Sequence, residues 1–311
     1  MKKKILPKSL THNFSNDDCE ISYTYHHRDS NLPTVVVLHA LTGNSEVTGN
    51  NGWWKEIVGQ DKVIDTEKYN VLAIDTLGNG FLTKTHEVIQ NVHQLQIKDI
   101  AKINLWLLDA LELSKIHTLV GGSLGGAIAW EMWRLRPEIF EQLICIGAHP
   151  FTDPWIKGVT YLQKELLKNN ANGYEQARMW SMLFYRNALG IDEKFKNVPQ
   201  SIENWLSYHG NALKQRYSQK SYEIMNHLLG AIGTHFNKEV ILQTASEATT
   251  NFVIISISTD WLFHPQHQIE WANDLKKVHP KTHHHSLESI HGHDAFLIEF
   301  EKLEQLLKPY L

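Results

Sequence analysis

The sequence predicts an α/β fold, with a mostly parallel central sheet flanked by helices and a helical lid inserted between two strands. Three observations carry this prediction. Short, continuous apolar runs without polar alternation recur along the chain, as strands buried on both faces require. Amphipathic helical periods lie between those runs, and such alternation implies parallel strands joined by right-handed crossovers. From about residue 151 to 240 the strand signal stops and only helical periods follow.

The elements follow in order. Glu20 to His27 reads as antiparallel strand leading into the sheet. Thr34–His39 and Asn70–Asp75 are the first apolar runs, followed by a helix marked by Ile97, Ile100, Ile103, Leu107, Leu108 and Leu111. Ile116–Gly121 is the next strand, Leu124–Arg136 a helix stopped by Pro137, and Gln142–Gly147 another strand. Four helical stretches then occupy Trp155–Lys168, Tyr174–Arg186, Ile202–Tyr217 and Tyr222–Ile232. The sheet resumes at Asn251–Ser258, with a further strand at Lys281–Leu287 and a helix at Ala295–Leu307. A helical stretch this long is no loop. Residues 1–150 and 241–311 therefore read as one catalytic core, and 151–240 as a lid inserted into it. The alternative is an independent helical domain with no part in the chemistry.

Composition narrows the function classes. A chain of 311 residues suits one large domain or one domain with an insertion. Its 42% hydrophobic content fills a core and excludes a disordered chain. The net charge of −4 contains no block of like charge beyond Lys2-Lys3-Lys4, so the basic surface that nucleic acid requires is missing. Cys19 and Cys145 alone make neither a disulfide scaffold nor a zinc cluster. No apolar run approaches the roughly 18 residues of a membrane span, and Pro7 and Lys8 interrupt any leader opened by the lysines. The expectation is a soluble, cytoplasmic protein without a membrane partner. The 19 histidines offer many candidate bases, so position must select among them.

Position does so at Gly121-Gly122-Ser123-Leu124-Gly125-Gly126, which sits between a strand and a helix. Gly-x-Ser-x-Gly in that context is a nucleophile elbow, a sharp turn that lifts a serine hydroxyl to the sheet edge. The strained turn brings helix and strand close together, so the residues two before and two after the serine must be small. Gly121 and Gly125 are. A phosphate-binding loop is the rival, but neither glycine spacing of that class is present and no lysine follows.

A serine becomes a nucleophile when a base takes its proton and a carboxylate orients the base. In α/β-hydrolases the partners follow in the order Ser, Asp, His. Asp260 stands where the strand from Asn251 should end, and His293 lies in the loop after the next strand. His291 competes for the role of base, with spacing in favour of His293. The run His283-His284-His285 suggests a metal, but strand neighbours point to opposite faces and no Cys or carboxylate completes a set, so no metal is expected there. The backbone N–H groups of Leu41, after the first apolar strand, and Leu124, after the serine, are the candidate oxyanion hole.

Several segments together resemble the homoserine O-acetyltransferase family, a branch of the α/β-hydrolases. They are His39-Ala40-Leu41-Thr42-Gly43, Gly52-Trp53-Trp54, the elbow, Asp260-Trp261-Leu262-Phe263 and Gly292-His293-Asp294-Ala295-Phe296-Leu297. More loosely, Ala177-Arg178-Met179 with Tyr185-Arg186 is similar to a lid helix that carries a substrate-binding arginine. The chain departs from the family after Leu77-Gly78, where a longer glycine-rich segment is usual, and in Leu124, where Met is usual.

The resemblance implies a ping-pong acyl transfer. Ser123, relayed by His293 and Asp260, would take an acyl group from acetyl-CoA, or another acyl-CoA, and pass it to the hydroxyl of L-homoserine in methionine biosynthesis. It implies that Arg178 pairs with the amino acid's carboxylate, that Asp294 holds its ammonium group, and that Tyr185 and Thr42 line the same site. No permanently bound cofactor is implied, and a homodimer through the lid is. The alternative is a serine esterase or thioesterase that uses the same residues with water as acceptor; a catalytically silent binding module is the third reading.

Overall fold

The apolar runs are strands buried on both faces: Val35 to Leu38, Val71 to Ile74 and Phe252 to Ile255 are inaccessible or nearly so. In the computed structural model, which describes residues 1–311 apart from 28, 30, 152, 170, 171, 235 and 236, they belong to one sheet. Its strands are β1 (Lys2–Ile5), β2 (Glu20–His26), β3 (Thr34–Leu38), β4 (Asn70–Ile74), β5 (Ile116–Gly122), β6 (Phe140–Ile146), β7 (Asn251–Ile257) and β8 (Thr282–Leu287). Their spatial order is β1-β2-β4-β3-β5-β6-β7-β8. β1 and β2 run antiparallel and the rest are parallel.

Strand β1 carries the lysine block and was not foreseen. Its side chains are largely exposed, and a charged, short edge strand is a common device against edge-to-edge pairing. Its pairing with β2 supplies what its composition does not.

The helices are α1 (Ile97–Ala110), α2 (Leu124–Leu135), then α3 (Pro154–Asn169), α4 (Gly173–Tyr185), α5 (Ala188–Phe195), α6 (Ser201–Arg216), α7 (Gln219–Gly230) and α8 (Lys238–Glu247) between β6 and β7, and finally α9 (Pro265–Val278) and α10 (Phe300–Leu307). Two helices of the intervening group, α5 and α8, are additions to the four foreseen. Both are short with few buried residues, and each is started by an asparagine whose side chain accepts a backbone N–H, Asn187 from Leu189 and Asn237 from Val240. The position chosen to end the insertion, residue 240, falls inside α8. The helix expected at Ala295–Leu307 is instead a 3₁₀ turn at Gly292–Leu297 followed by α10. Among the described residues, no helix is long and apolar enough to cross a membrane.

Tryptophans fill the space under the sheet. Trp130 of α2 stacks on Phe252 of β7 at 5.4 Å and meets Trp271 of α9 edge-on at 5.5 Å, while Trp133 packs edge-on to Phe252 at 4.8 Å. Trp54 donates its indole N–H to the Phe296 carbonyl, tying the Gly52-Trp53-Trp54 segment to the 3₁₀ turn.

One buried carboxylate organises the loop after β3. Asp75, 1% exposed at the end of β4, accepts hydrogen bonds from the Ser22 hydroxyl (2.7 Å), the Ser45 backbone N–H (2.7 Å) and hydroxyl (3.0 Å), and the Asn79 amide (3.0 Å). Beside it, buried His39 accepts the Thr76 N–H at Nε2 and donates from Nδ1 to the Ala40 carbonyl. Replacing Asp75 by Ala should strand several buried donors at once. We expect Asp75→Ala to cost about 3 kcal/mol or more in urea unfolding, with Asp75→Asn losing less; a loss under about 1 kcal/mol would show that the loop holds itself.

Candidate active site

Ser123 lies immediately after β5 with φ 56° and ψ −127°, and its N–H donates to the Ile146 carbonyl of β6 at 2.9 Å. A positive φ at a residue with a Cβ costs about 1 kcal/mol or more, and close packing around the turn holds it. The packing is possible because Gly121 and Gly125 have no side chains. A Cβ on Gly125 would stand 2.4 Å from the Leu38 carbonyl oxygen, and one on Gly121 would stand 2.5 Å from the Gly125 carbonyl carbon. The elbow thus sits directly against the end of β3, where the loop with Leu41 begins.

His293 and Asp260 come to this serine from the segments after β8 and β7. Ser123 Oγ donates to His293 Nε2 at 2.8 Å, and His293 Nδ1 donates to Asp260 Oδ2 at 2.7 Å. The other Asp260 oxygen accepts the Leu262 and Phe263 N–H groups at 2.7 and 2.9 Å, so the carboxylate is fixed and can act on the imidazole alone. Ser123, Asp260 and His293 are 3%, 1% and 4% exposed, which keeps water from weakening these contacts. Phe263 stacks on the His293 ring at 5.6 Å and Phe296 meets it edge-on at 5.8 Å. Burial alone would push the His293 imidazole down; the charge and hydrogen bond of Asp260, joined by the charge of Asp294, outweigh it and hold the group above its ordinary 6.5.

His291, the competing base, lies elsewhere: with Arg186, Gly190 and Trp205 it lines a cavity of about 400 Å³ away from the serine. Gly292 between the two histidines has φ +67°, and a Cβ there would lie 2.6 Å from the Arg186 carbonyl carbon. That contact seats the end of α4 on the turn carrying His293. Leu124 is the first residue of α2, where backbone N–H groups have no partner within the helix. Leu41 is buried, and its carbonyl accepts the Tyr217 hydroxyl at 3.3 Å.

The four candidate substrate residues divide. Tyr185 lies 6.1 Å from the His293 ring and borders the triad, while Arg178 lies behind it, 5.5 Å from the Tyr185 ring. The Arg178 Nε is buried without a hydrogen bond to a described residue. Asp294 is paired with Arg186, its Oδ2 2.9 Å from Nε, rather than standing alone. Thr42 is held by Arg216, whose guanidinium donates to the Thr42 carbonyl at 3.0 Å. Arg186, named only within the lid-helix resemblance, was given no role from the sequence, and Arg216 was not named. Nor was His209, in ring contact with Trp205 at 4.5 Å and held down to about 4 by burial and by Arg178 and Arg186. Within the run His283 to His285, Ser256 engages His284 and Tyr310 engages His285.

The alpha/beta hydrolase fold family model matches residues 33–297. The chain belongs to that family. It is 28% identical to the homoserine O-acetyltransferase of Carboxydothermus hydrogenoformans over 89% of this chain and 85% of the relative, and 28% identical to that of Cyclobacterium marinum over 97% and 92%. Among solved structures, homoserine O-acetyltransferase from Staphylococcus aureus superposes with a TM-score of 0.84 at 22% identity, covering 99% of this chain and 94% of that one. Esterase E22 superposes with a TM-score of 0.83 at 16% identity, covering 99% of both chains. At these identities the superpositions speak to the fold alone.

A raised imidazole pKa has a kinetic signature. His293 accepts the serine proton only when neutral, so acylation should rise with pH through a midpoint above 6.5. With p-nitrophenyl acetate as acyl donor, we expect kcat/KM to follow that profile, Asp294→Asn to lower the midpoint, and His293→Ala, but not His291→Ala, to abolish the acylation burst. A midpoint below 6.5, or a burst lost in His291→Ala, would contradict the geometry.

Proposed function

We propose that the chain is an acyl-CoA-dependent O-acyltransferase that moves acetyl from acetyl-CoA to L-homoserine through Ser123, in the route to methionine in the cytoplasm. One observation favours an amino-acid acceptor over water. One ring away from the triad, across Tyr185, the Arg178 guanidinium is partly buried and its Nε lacks a hydrogen bond to any described residue, while the Asp294 carboxylate lies on the same turn as His293. A buried cation without an anion is costly, and a ligand carboxylate would satisfy it with two parallel hydrogen bonds. Asp294, whose Oδ2 pairs with Arg186, would offer its other oxygen to an ammonium group. Two unlike charges beside one base suit a small zwitterion. The likeness to homoserine O-acetyltransferases along 89% or more of the chain supports the same acceptor and acetyl-CoA as donor.

The steps follow from the hydrogen bonds. His293 Nε2 takes the Ser123 proton as Oγ attacks the thioester carbonyl. Asp260 stabilises the imidazolium, and the N–H groups of Leu41 and Leu124 receive the oxyanion, each worth about 3 kcal/mol in reactions of this kind. The C–S bond breaks, His293 returns the proton to the coenzyme A thiolate, and acetyl remains on Ser123. Homoserine enters with its carboxylate on Arg178 and its hydroxyl against His293, which deprotonates it. The alkoxide attacks the acyl-serine, the new ester forms, and the proton passes back to Ser123. Helices α3 to α8 act as the lid that keeps water from the acyl-serine; Tyr185 and Thr42 complete its inner wall. Trp155, Tyr161, Leu162 and Tyr208 are exposed on those helices, an apolar surface suited to a homodimer.

The test follows free thiol released from acetyl-CoA. Release should require L-homoserine and vanish by at least about a thousandfold in Ser123→Ala. Arg178→Ala should lower kcat/KM for homoserine about 30-fold or more, while acylation by p-nitrophenyl acetate is retained. Equal thiol release without homoserine would make the protein a thioesterase, and no release with either donor would remove it from acyl transfer.

A further inference from the structure

A second cluster of reactive side chains lies outside the triad. His149 follows β6, Asp153 precedes α3 and His267 sits in the first turn of α9. Asp153 Oδ2 stands 3.1 Å from His267 Nδ1 and 3.9 Å from His149 Nε2, and the three donor atoms all lie within 4.8 Å of one another. His149 is 3% exposed, yet both its ring nitrogens are buried without a hydrogen bond to any described residue. Burying an imidazole with neither nitrogen satisfied costs about 1–3 kcal/mol per group, so the arrangement calls for a further partner.

We propose that His149, Asp153 and His267 form a binding site for a divalent transition-metal ion of the zinc class, with water completing a four-coordinate shell. Two imidazoles and one carboxylate are donors that zinc takes readily, and they leave one position open. On a tetrahedral zinc, donor atoms bonded at about 2.0–2.1 Å stand about 3.4 Å apart, so the observed spacing closes with small side-chain shifts. His267, whose side chain is 47% exposed, is the member nearest solvent. A cavity of about 250 Å³ beside the cluster, lined also by Phe151, Lys238, Glu270 and Trp271, gives an ion a way in. The Lys238 ammonium in that cavity is turned to Asp274.

The ion would join three elements. Asp153 already caps α3, its Oδ1 accepting the Ile156 N–H at 2.8 Å. The metal would staple this first lid helix to the end of β6 and to α9. It would also bear on the catalytic base through one ring: His149 meets Phe263 edge-on at 5.2 Å, and Phe263 stacks on His293.

The full-length chain, stripped with a chelator and dialysed, is titrated with zinc chloride by calorimetry and its Tm measured with and without zinc. The expected result is one tight equivalent per chain and a higher Tm, as any ligand of the folded state alone produces. Asp153→Asn and His267→Ala should each weaken that equivalent by more than about tenfold and remove the Tm gain. Asp153→Asn keeps an oxygen to cap α3 and His267 is half exposed, and far-UV circular dichroism checks that both variants fold. His283→Ala and His285→Ala, in the strand run of histidines, should leave binding intact. Cobalt in place of zinc should give the intense visible absorption of a tetrahedral site in wild type only. Absence of a zinc equivalent, or one that persists in Asp153→Asn and His267→Ala, or one lost in the His283 or His285 variants, would overturn the site.

Discussion

The site depends on how closely the first turn of α2 approaches the end of β3. With hydrogen at the Cα of Gly125, the helix start rests on the carbonyls of Leu38 and His39. That contact forces the chain at Ser123 through a backbone conformation that no ordinary strand-to-helix link adopts. From it follow the projection of Oγ above the sheet and the aim of the α2 N-terminus. The loop from His39 to Gly43 must then cross the same narrow space. Asp75 and His39 hold this loop from beneath with charged and neutral hydrogen bonds, so both sides of the turn are rigid. Preorganisation of this kind places polar groups before any charge develops.

Charge is apportioned around that rigid centre. Asp260 has its lone pairs committed to two backbone N–H groups and one imidazole, which makes it an orienting group rather than a proton store. Asp294 divides its influence: it raises His293 while pairing with Arg186. Arg178 has no carboxylate contact among the described residues, and its field adds to burial in pulling down both His209 and Arg216. The triad side of the pocket is thus anion-balanced and the lid side is cation-rich. A neutral ester gains little from this asymmetry, whereas an amphoteric acceptor is oriented by it.

Much of this was legible in the sequence where the signal was local. The elbow is contiguous and its spacing is visible in one stretch, although Gly125 is required by a contact with distant Leu38, and the apolar strands announce themselves through burial on both faces. Asp260 and His293 were reachable because each follows a strand that could be recognised. The charged strand β1 was not, since its place comes from pairing with β2 and its composition advertises solvent. α5 and α8 bury too few side chains to show a helical period, and only their asparagine caps mark them. The helix expected at Ala295 is broken because the turn must bend to present His293. Arg216 and Arg186 engage Thr42 and Asp294 through contacts that no spacing reveals. The cluster of His149, Asp153 and His267 joins residues 114 positions apart between its last two members, too distant for any motif.

The grip of α6 on the loop after β3 has a consequence for protein engineering. Arg216 holds the carbonyl of Thr42, and the neighbouring Tyr217 hydroxyl holds that of Leu41. These two bonds fix the backbone that carries the proposed oxyanion donor. The inserted helices are therefore no exchangeable cassette: a chimera that grafts another relative's insertion onto this sheet must carry an equivalent arginine–tyrosine pair at the end of the fourth inserted helix. Without it, the graft keeps its serine, histidine and aspartate but loses the alignment of the loop opposite them.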